Sequence, residues 1–399
     1  MKSLALARVA AVAILLAVLV AGSLPRSVVS AQSGRQPPKK KVEKKTEEQK
    51  SGPPEPMDPQ EPVPPVPKNI QSEPPIKIST QVVNVEVTVI DKKSGRLYNT
   101  LKQPNFTIYE DGVKQEVTNF RSGEGPMTAV LLIENSYSNR RWQGYYNPTF
   151  QQEIFRSAAV FVQRFVKPQD HIALVTYSLK PKVIQDFTGD SGRLQQALLA
   201  AYRDGLNFSE ACYYDALSFA LLGGKAIQLF DENHGPSEYN GLQEVEGHTA
   251  VILITLGIDT FSKLTYDKAL KIVKNAGVPV YTIGVGNLFY KKYGDRLPSQ
   301  SDPFPMAFLQ LKTFAEFSGG AYFPMTFEGE IPSIMQSIEA MLRGQYSLGY
   351  SPTNTRREGK ERKIKVEVDV DGDGVADNKR LDLKFRQRYV EADDNPKKK

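Results

Sequence analysis

The sequence predicts an α/β protein built on a doubly wound, mostly parallel sheet, with an accessory β-sandwich-like unit formed by the flanking segments. Three observations lead there. Ala129 to Ile133, Ile172 to Tyr177, Val251 to Thr255 and Pro279 to Val285 are short runs, apolar throughout, as strands buried on both faces must be. Helical periodicities separate them: Ile154, Ala158 and Val162 recur at every fourth residue beside Phe161 and Phe165. Leu194, Leu198 and Ala201 do likewise, as do Ala269, Ile272, Val273 and Ala276 before Gly277. Strands alternating with helices wind a parallel sheet, whereas the segments before and after this region alternate apolar with polar residues, as antiparallel strands do.

Taken in order, the chain begins with Lys2 and Arg8, then thirteen apolar residues from Val9 to Ala21, then Pro25 and the triplet Val29-Ser30-Ala31. This pattern predicts a signal peptide over residues 1–31, cleaved before Gln32. The apolar run falls short of the roughly twenty residues of a membrane span, so no transmembrane segment is expected after cleavage; an uncleaved anchor is the alternative. The expected location is secreted, periplasmic or cell-surface associated. Residues 32–75 are rich in proline, lysine and glutamate, with too little apolar surface to fold, and form a disordered linker that favours polyproline II from Pro53 to Pro75. Residues 391–399 are expected to form a disordered basic tail ending in Lys397, Lys398 and Lys399.

With 51 Lys and Arg against 45 Asp and Glu, the net charge is +6, and the linker concentrates its basic residues in the run Lys39 to Lys45. Export removes nucleic acid as the usual partner, so the basic linker is read as attracted to an acidic cell-envelope polymer. The single cysteine, Cys212, excludes an internal disulfide. His171, His234 and His248 make no Cys/His pattern with it, and it is read as a small buried side chain. Gly284-x-Gly286 follows a strand without a third glycine or a helix start, and reads as a tight turn.

Residues 76–125 form an N-terminal β unit. Val83, Val85, Val87 and Val89 alternate with Asn84, Glu86 and Thr88, predicting a strand with one wet face. After a turn at Asp91 to Gly95, a strand from Phe106 reaches a tight turn at Glu110-Asp111-Gly112, and Val117 to Phe120 returns. Residues 126–343 carry the α/β domain. Residues 344–390 return to β structure at Tyr346 to Tyr350, Lys363 to Val370 and Leu381 to Tyr389, and are expected to pair with the N-terminal β unit.

Two clusters carry candidate metal chemistry. The first closes the strand 127–134, where Glu134, Ser136 and Ser138 alternate as it breaks into a loop, so that their oxygens can surround one point. The second is Asp369-Val-Asp371-Gly-Asp373-Gly374, with Asp377 beyond. Oxygen donors at positions 1, 3, 5 and 9 with glycine at 6 follow calcium-loop spacing, but Arg380 stands at position 12 in place of a bidentate glutamate. Two readings fit: a calcium site of weak affinity, and a polar hairpin connection rich in Asp and Gly.

The Glu134-x-Ser136-x-Ser138 run resembles the opening of the metal-ion-dependent adhesion site of von Willebrand factor type A domains, where the family has aspartate in place of Glu134. The resemblance implies a threonine three residues before Tyr214-Asp215-Ala216-Leu217, where this chain has Ala211, and a carboxylate after the strand 250–255, where it has Leu256 in the run Leu256-Gly257-Ile258-Asp259. Ser209 is the nearest spare hydroxyl. Magnesium requires near-octahedral oxygen ligation at about 2.0–2.1 Å, and this depleted set does not select it. Asn105 to Gly112, reading Asn-Phe-Thr-Ile-Tyr-Glu-Asp-Gly, resembles the segment preceding the type A domain in an exported bacterial von Willebrand factor A-related family.

From Tyr137 onward the loop crowds Tyr137, Arg140, Arg141, Trp142, Tyr145 and Tyr146 at the predicted ligand edge. Such residues carry most binding energy at interfaces, although they equally suit packing beneath a loop. The expected function is an exported, non-enzymatic binding or adhesion module for a protein or cell-envelope ligand. The alternatives are a structural scaffold in an envelope complex and, with no convergent catalytic set to support it, an enzyme.

Overall fold

A computed structural model describes residues 82–122, 125–136, 149–204, 210–230, 239–242, 245, 247–294 and 302–391. The expected signal peptide and linker lie outside these residues, as does the expected tail beyond Glu391. In chain order the strands are β1 (Val83–Asp91), β2 (Phe106–Glu110), β3 (Val113–Gln115), β4 (Val117–Arg121), β5 (Met127–Glu134), β6 (His171–Tyr177), β7 (Pro181–Thr188), β8 (His248–Thr255), β9 (Val280–Gly284), β10 (Tyr322–Pro324), β11 (Tyr346–Tyr350), β12 (Glu361–Val368), β13 (Leu381–Lys384) and β14 (Arg388–Val390). The helices are α1 (Thr149–Phe165), α2 (Ser191–Arg203), α3 (Tyr213–Leu222), α4 (Gly224–Phe230), α5 (Tyr266–Ala276), α6 (Gly286–Tyr293), α7 (Phe304–Ser318) and α8 (Ile331–Arg343).

The central sheet has the order β10-β9-β8-β5-β6-β7, parallel except for the edge strand β7. Its middle strand, β5, has no polar face to offer water. Ala129, Leu131 and Ile133 pack into one core with α1, α2 and α8, while Val130 and Leu132 pack into a second with α3, α5 and α7. Helices on both faces follow from this pattern. Local signals set the helix ends: Asp190 accepts from the amides of Gly192 and Arg193 to cap α2, and Thr265 caps α5. The edge strands β7 and β10 and the helices α6, α7 and α8 have no counterpart among the sequence-predicted elements.

Two four-stranded antiparallel sheets, β13-β1-β11-β4 and β14-β12-β2-β3, enclose a separate core of Val83, Val85, Val87, Val89, Ile108, Tyr346, Leu348, Ile364 and Val366. The hairpin turn at Asp111 and Gly112 has φ of 49° and 86°, the left-handed pair that a two-residue connection requires. The predicted return at Val117 to Phe120 is split: β3 completes the hairpin with β2, and β4 crosses to the other sheet to pair with β11. Glu110, buried between the sheets, accepts from the hydroxyls of Tyr350 and Tyr389 at 2.7 Å each and pairs with Arg362 at 2.8 Å.

The predicted wet face of β1 is corrected. Glu86 and Thr88 are 6% and 1% exposed, because that face lies against the amino-terminal edge of the central sheet. There Gln345 donates to the Tyr281 hydroxyl of β9 at 3.1 Å, the Val390 amide donates to Asn275 at 2.8 Å, and Lys274 pairs with Glu361 at 3.0 Å. Alternation alone reports which residues share a face; it does not report what covers that face. At the same edge Asp170, fully buried, pairs with Arg343 at 2.9 Å and accepts from the amides of Met127 and Lys167, joining the end of α8 to the start of β5. No helix among the described residues is long and apolar enough to cross a membrane.

Burial pushes the Glu86 carboxyl up from 4.5 to about 7, against a hydrogen bond from Ser347 and the charges of Arg386 and Arg121. A folded-state value above the unfolded one means that Glu86 favours folding below 4.5, and that this contribution is lost as pH rises through about 7. The loss is at most about 3 kcal/mol. Glu86→Gln, neutral at every pH, is expected to be more stable than the parent at about pH 8 and no more stable at about pH 4.5, as read by urea denaturation across that range. Parallel stability curves for the two proteins would show that the carboxyl is not held protonated by burial.

Candidate functional site

Strand register builds the site at the carboxyl edge of the central sheet. β5 pairs with β6 so that Glu134 faces Tyr177, and with β8 so that Ile133 faces Ile254, which sets Glu134 beside Thr255. Three polar side chains from three adjacent strands therefore end in one row. Open α/β sheets bind ligands at this edge.

Glu134 is 1% exposed and its carboxylate is met by donors. Ser136 Oγ donates to Oε1 at 2.7 Å, Thr255 Oγ1 to Oε2 at 2.7 Å, and the Leu256 amide to Oε2 at 2.8 Å. Behind Thr255, the Tyr177 hydroxyl and the Gly257 amide donate to its Oγ1 at 2.9 and 2.8 Å. Burial raises the Glu134 carboxyl above its ordinary range, opposed by the Ser136, Thr255 and Leu256 hydrogen bonds. Burial also holds the Tyr177 hydroxyl well above its usual value, so it remains a donor. The extra methylene of glutamate over aspartate carries the carboxylate to the Leu256 amide and Thr255. The hydroxyl protons of Ser136 and Thr255 point toward it, whereas a cation requires lone pairs converging on a shared centre.

The two other loops clamp one another. Ala211, buried, donates its amide to Thr260 Oγ1 at 2.8 Å and accepts from the Thr260 amide at 2.8 Å. Asp259 accepts from Ser262 Oγ at 2.5 Å, the Ser262 amide at 3.1 Å and the Tyr214 amide at 3.2 Å, so it closes the start of α3. Asp215 reciprocates, accepting the amides of Lys263 and Leu264 at 2.9 Å each. Gly257 has φ of 92°, and a Cβ there would lie 2.7 Å from Leu311. A Cβ at Gly286 would lie 2.3 Å from the Leu256 carbonyl. The expected tight turn at Gly284-x-Gly286 is thus corrected: α6 begins at Gly286, and the glycine is needed for close approach to the site loop.

Of the sequence-predicted site residues, Glu134 and Ser136 are brought together, and Asp259 is turned to the neighbouring helix start. Tyr137, Ser138, Arg140, Arg141, Trp142 and Ser209 lie outside the described residues. Sequence reasoning missed Thr255, Tyr177 and Ser262. The signal for Ser262 was its place three residues after Asp259, a local capping spacing. Thr255 and Tyr177 were legible only once the strands were aligned. Cys212 is fully buried beside this site, its thiol pushed up by burial. His171 and His248 begin β6 and β8, at the opposite edge of the sheet.

The aspartate loop joins β12 to β13. Carboxylate oxygens of Asp369, Asp371 and Asp373 lie within 4.8 Å of one another. Asp369 accepts from the amides of Gly372 and Gly374 at 2.7 and 2.8 Å, and the Gly374 bond chiefly holds its carboxyl below the ordinary range. Arg380 is an internal counter-ion, 2.9 Å from Asp377 and 3.5 Å from Asp371.

Thr255→Val removes the hydroxyl between Tyr177 and Glu134 while keeping the shape of the side chain. It leaves a buried carboxylate short of one donor and a tyrosine hydroxyl without its acceptor, at an expected cost of about 1–3 kcal/mol in urea denaturation. An unchanged midpoint would mean that the network contributes nothing to the fold.

Comparison with solved structures returns proximal thread matrix protein 1 from the mussel byssus, at 13% identity and a TM-score of 0.36, covering 55% of this chain and 48% of that one. It also returns the von Willebrand factor domain of the type V pili tip protein Mfa5 from Porphyromonas gingivalis, at 16% identity and a TM-score of 0.34, over 54% of this chain and 94% of that one. A third, an aerotolerance-related membrane protein from Bacteroides fragilis, is 15% identical with a TM-score of 0.35, over 55% of this chain and 98% of that one. The chain thus spans about half the length of the first of these. No curated protein matches it. The von Willebrand factor type A domain family matches residues 130–318, the span from β5 to the end of α7. Residues 130–318 thus carry a von Willebrand factor type A domain.

Proposed function

We propose that the protein is an exported, non-enzymatic binding module that engages a protein or cell-envelope ligand at the carboxyl edge of its central sheet without a divalent cation. The observation that carries this reading is the Glu134 carboxylate, which takes three internal donors where a cation would need free oxygens. Magnesium is not expected to bind there. A type A domain without a cation must recognise its ligand with side chains of the same edge, and the segment following Ser136 supplies Arg140, Arg141 and Trp142 for that purpose. Arginine offers a fixed, bidentate positive charge to a carboxylate that a metal would otherwise have bound, and tryptophan offers a large anchor. Catalysis has no comparable support: Cys212 is buried, and the two described histidines lie at the far edge of the sheet. Residues 1–31, read as a signal peptide, support a location outside the cytoplasm.

The test is capture from a solubilised native envelope with the protein from Gln32 onward as bait. The expected partner is retained equally in magnesium and in EDTA, and Trp142→Ala or Arg141→Ala weakens retention by about thirtyfold, as truncating a central interface anchor does. A Lys271→Ala control is expected to leave it unchanged. Loss of the partner in EDTA, or equal retention by all the variants with intact circular dichroism, would refute the reading.

The Asp369 to Asp377 loop is proposed to take calcium weakly, with a dissociation constant of about 10⁻⁴–10⁻³ M. Three carboxylates in close company repel one another unless a cation draws them together, and Arg380 neutralises only part of that charge. Calorimetry is expected to show heat for calcium at millimolar concentration and none for magnesium, with the signal lost in the paired change Asp371→Ala, Asp373→Ala. Identical heats before and after that change would place any calcium elsewhere.

A further inference from the structure

At the edge of the central sheet opposite Glu134, the docked sandwich leaves a cavity of about 360 Å³ between the start of β1, the end of α5, the entry to β8 and the strand β14. Two buried groups of opposite charge line it, Glu86 and Arg386, each 6% exposed. Neither is fully satisfied: Glu86 has a hydrogen bond from Ser347 and Arg386 one to Asn84, and each keeps one atom without a partner. These are Glu86 Oε2 and Arg386 Nε, both buried. The two side chains are also not ion-paired with each other, although each lies within the other's field. An unpaired buried carboxylate and guanidinium are costly, and proteins ordinarily close such a pair into a salt bridge. Here both line the same cavity without forming that bridge. Arg386 is fixed in that position by donating Nη2 to the Asn84 carbonyl and by lying 5.5 Å from the centre of the Tyr389 ring. Glu86 is fixed by the rigid pairing of β1 with β11.

A molecule that fills this space and satisfies both groups must carry a cationic donor at one end and an anionic acceptor at the other. We propose that the cavity is a binding site for a small zwitterion of the α-amino acid class, whose ammonium group meets Glu86 and whose carboxylate meets Arg386. A water occupies about 30 Å³, so the space holds a whole amino acid in place of roughly a dozen solvent molecules. The walls suit the remainder of such a ligand, with Val278 and Tyr389 supplying apolar surface.

The site carries its own pH signature. The groups acting on Glu86 are Arg386 between β13 and β14, Arg121 at the end of β4, Ser347 on β11 and Tyr281 on β9. With these partners its carboxyl sits at about 7, so much of it is protonated near neutrality. An ammonium group binds the ionised form, so binding expels a proton and tightens as pH rises from about 6 to 8.

The experiment uses the full chain after signal removal and the proteinogenic amino acids as probes, each at millimolar concentration. Melting curves identify members that stabilise the protein, and calorimetry in two buffers of different ionisation enthalpy measures the heat and the protons released. At least one amino acid is expected to bind with proton release near neutral pH, while the amine and the acid obtained by deleting its carboxylate or its ammonium group each bind at least about tenfold more weakly. Glu86→Gln, with its fold checked by circular dichroism, is expected to lose at least about tenfold in affinity together with the proton release. The proposal is overturned if no amino acid binds, if either half-ligand binds as well as the whole, or if Glu86→Gln binds with unchanged affinity.

Discussion

The register of three parallel strands, β8 against β5 against β6, is the constraint from which the rest follows. Because β5 lies in the middle and is apolar on both faces, it can exist only between two helical layers, and the helices with apolar stripes fall on either side of it. The same register decides which side chains emerge together at the carboxyl edge. Glu134, Thr255 and Tyr177 share a row because their strands share hydrogen bonds, and not because any local sequence places them together. A slip of one strand by one residue would send their side chains to the wrong face and leave the carboxylate buried without donors.

The second organising feature is a polar face turned inward. The β13-β1-β11-β4 sheet presents valines to the sandwich core and Glu86, Thr88 and Ser347 to the α/β domain, so that two cores meet across a polar seam instead of merging. Seams of this kind specify relative orientation, because only one arrangement gives Tyr281, Gln345 and Asn275 their partners. The Arg343 to Asp170 pair anchors the seam where the chain leaves α8 for β11. The two edges of the central sheet are therefore chemically unlike: one carries a carboxylate already satisfied, the other a carboxylate and a guanidinium that are not fully so.

Much of this architecture was legible in the sequence, and the omissions have physical causes. The four buried parallel strands announced themselves because burial on both faces leaves an unbroken apolar run, and the periodic helices α1, α2 and α5 because one face meets solvent. The helix α7 escaped because it is apolar around most of its circumference and shows little periodicity, and β7 because it is an edge strand of mixed exposure. At the site, Glu134 and Ser136 were found through their alternation on one strand, and the substitutions at Ala211 and Leu256 through their offsets from Tyr214 and Asp259. Thr255 and Tyr177 were not, because their role is a relation between strands far apart in sequence. The buried face of β1 was misread for the same reason, since an alternating pattern is identical whether the polar face meets water or another domain.

The strand pairing of the sandwich has a consequence for the order in which the molecule can form. β1 comes first among the described strands, yet its neighbours in the sheet are β11 and β13, near the far end of the chain. The central sheet has no such dependence, since all six of its strands fall between Met127 and Pro324. A chain emerging from its amino end can therefore complete the α/β body while Val83–Asp91 still has a free edge and four exposed valines. The sandwich then closes last, on a surface already built. Contacts of such long sequence separation are slow to form and leave an aggregation-prone edge open in the interval.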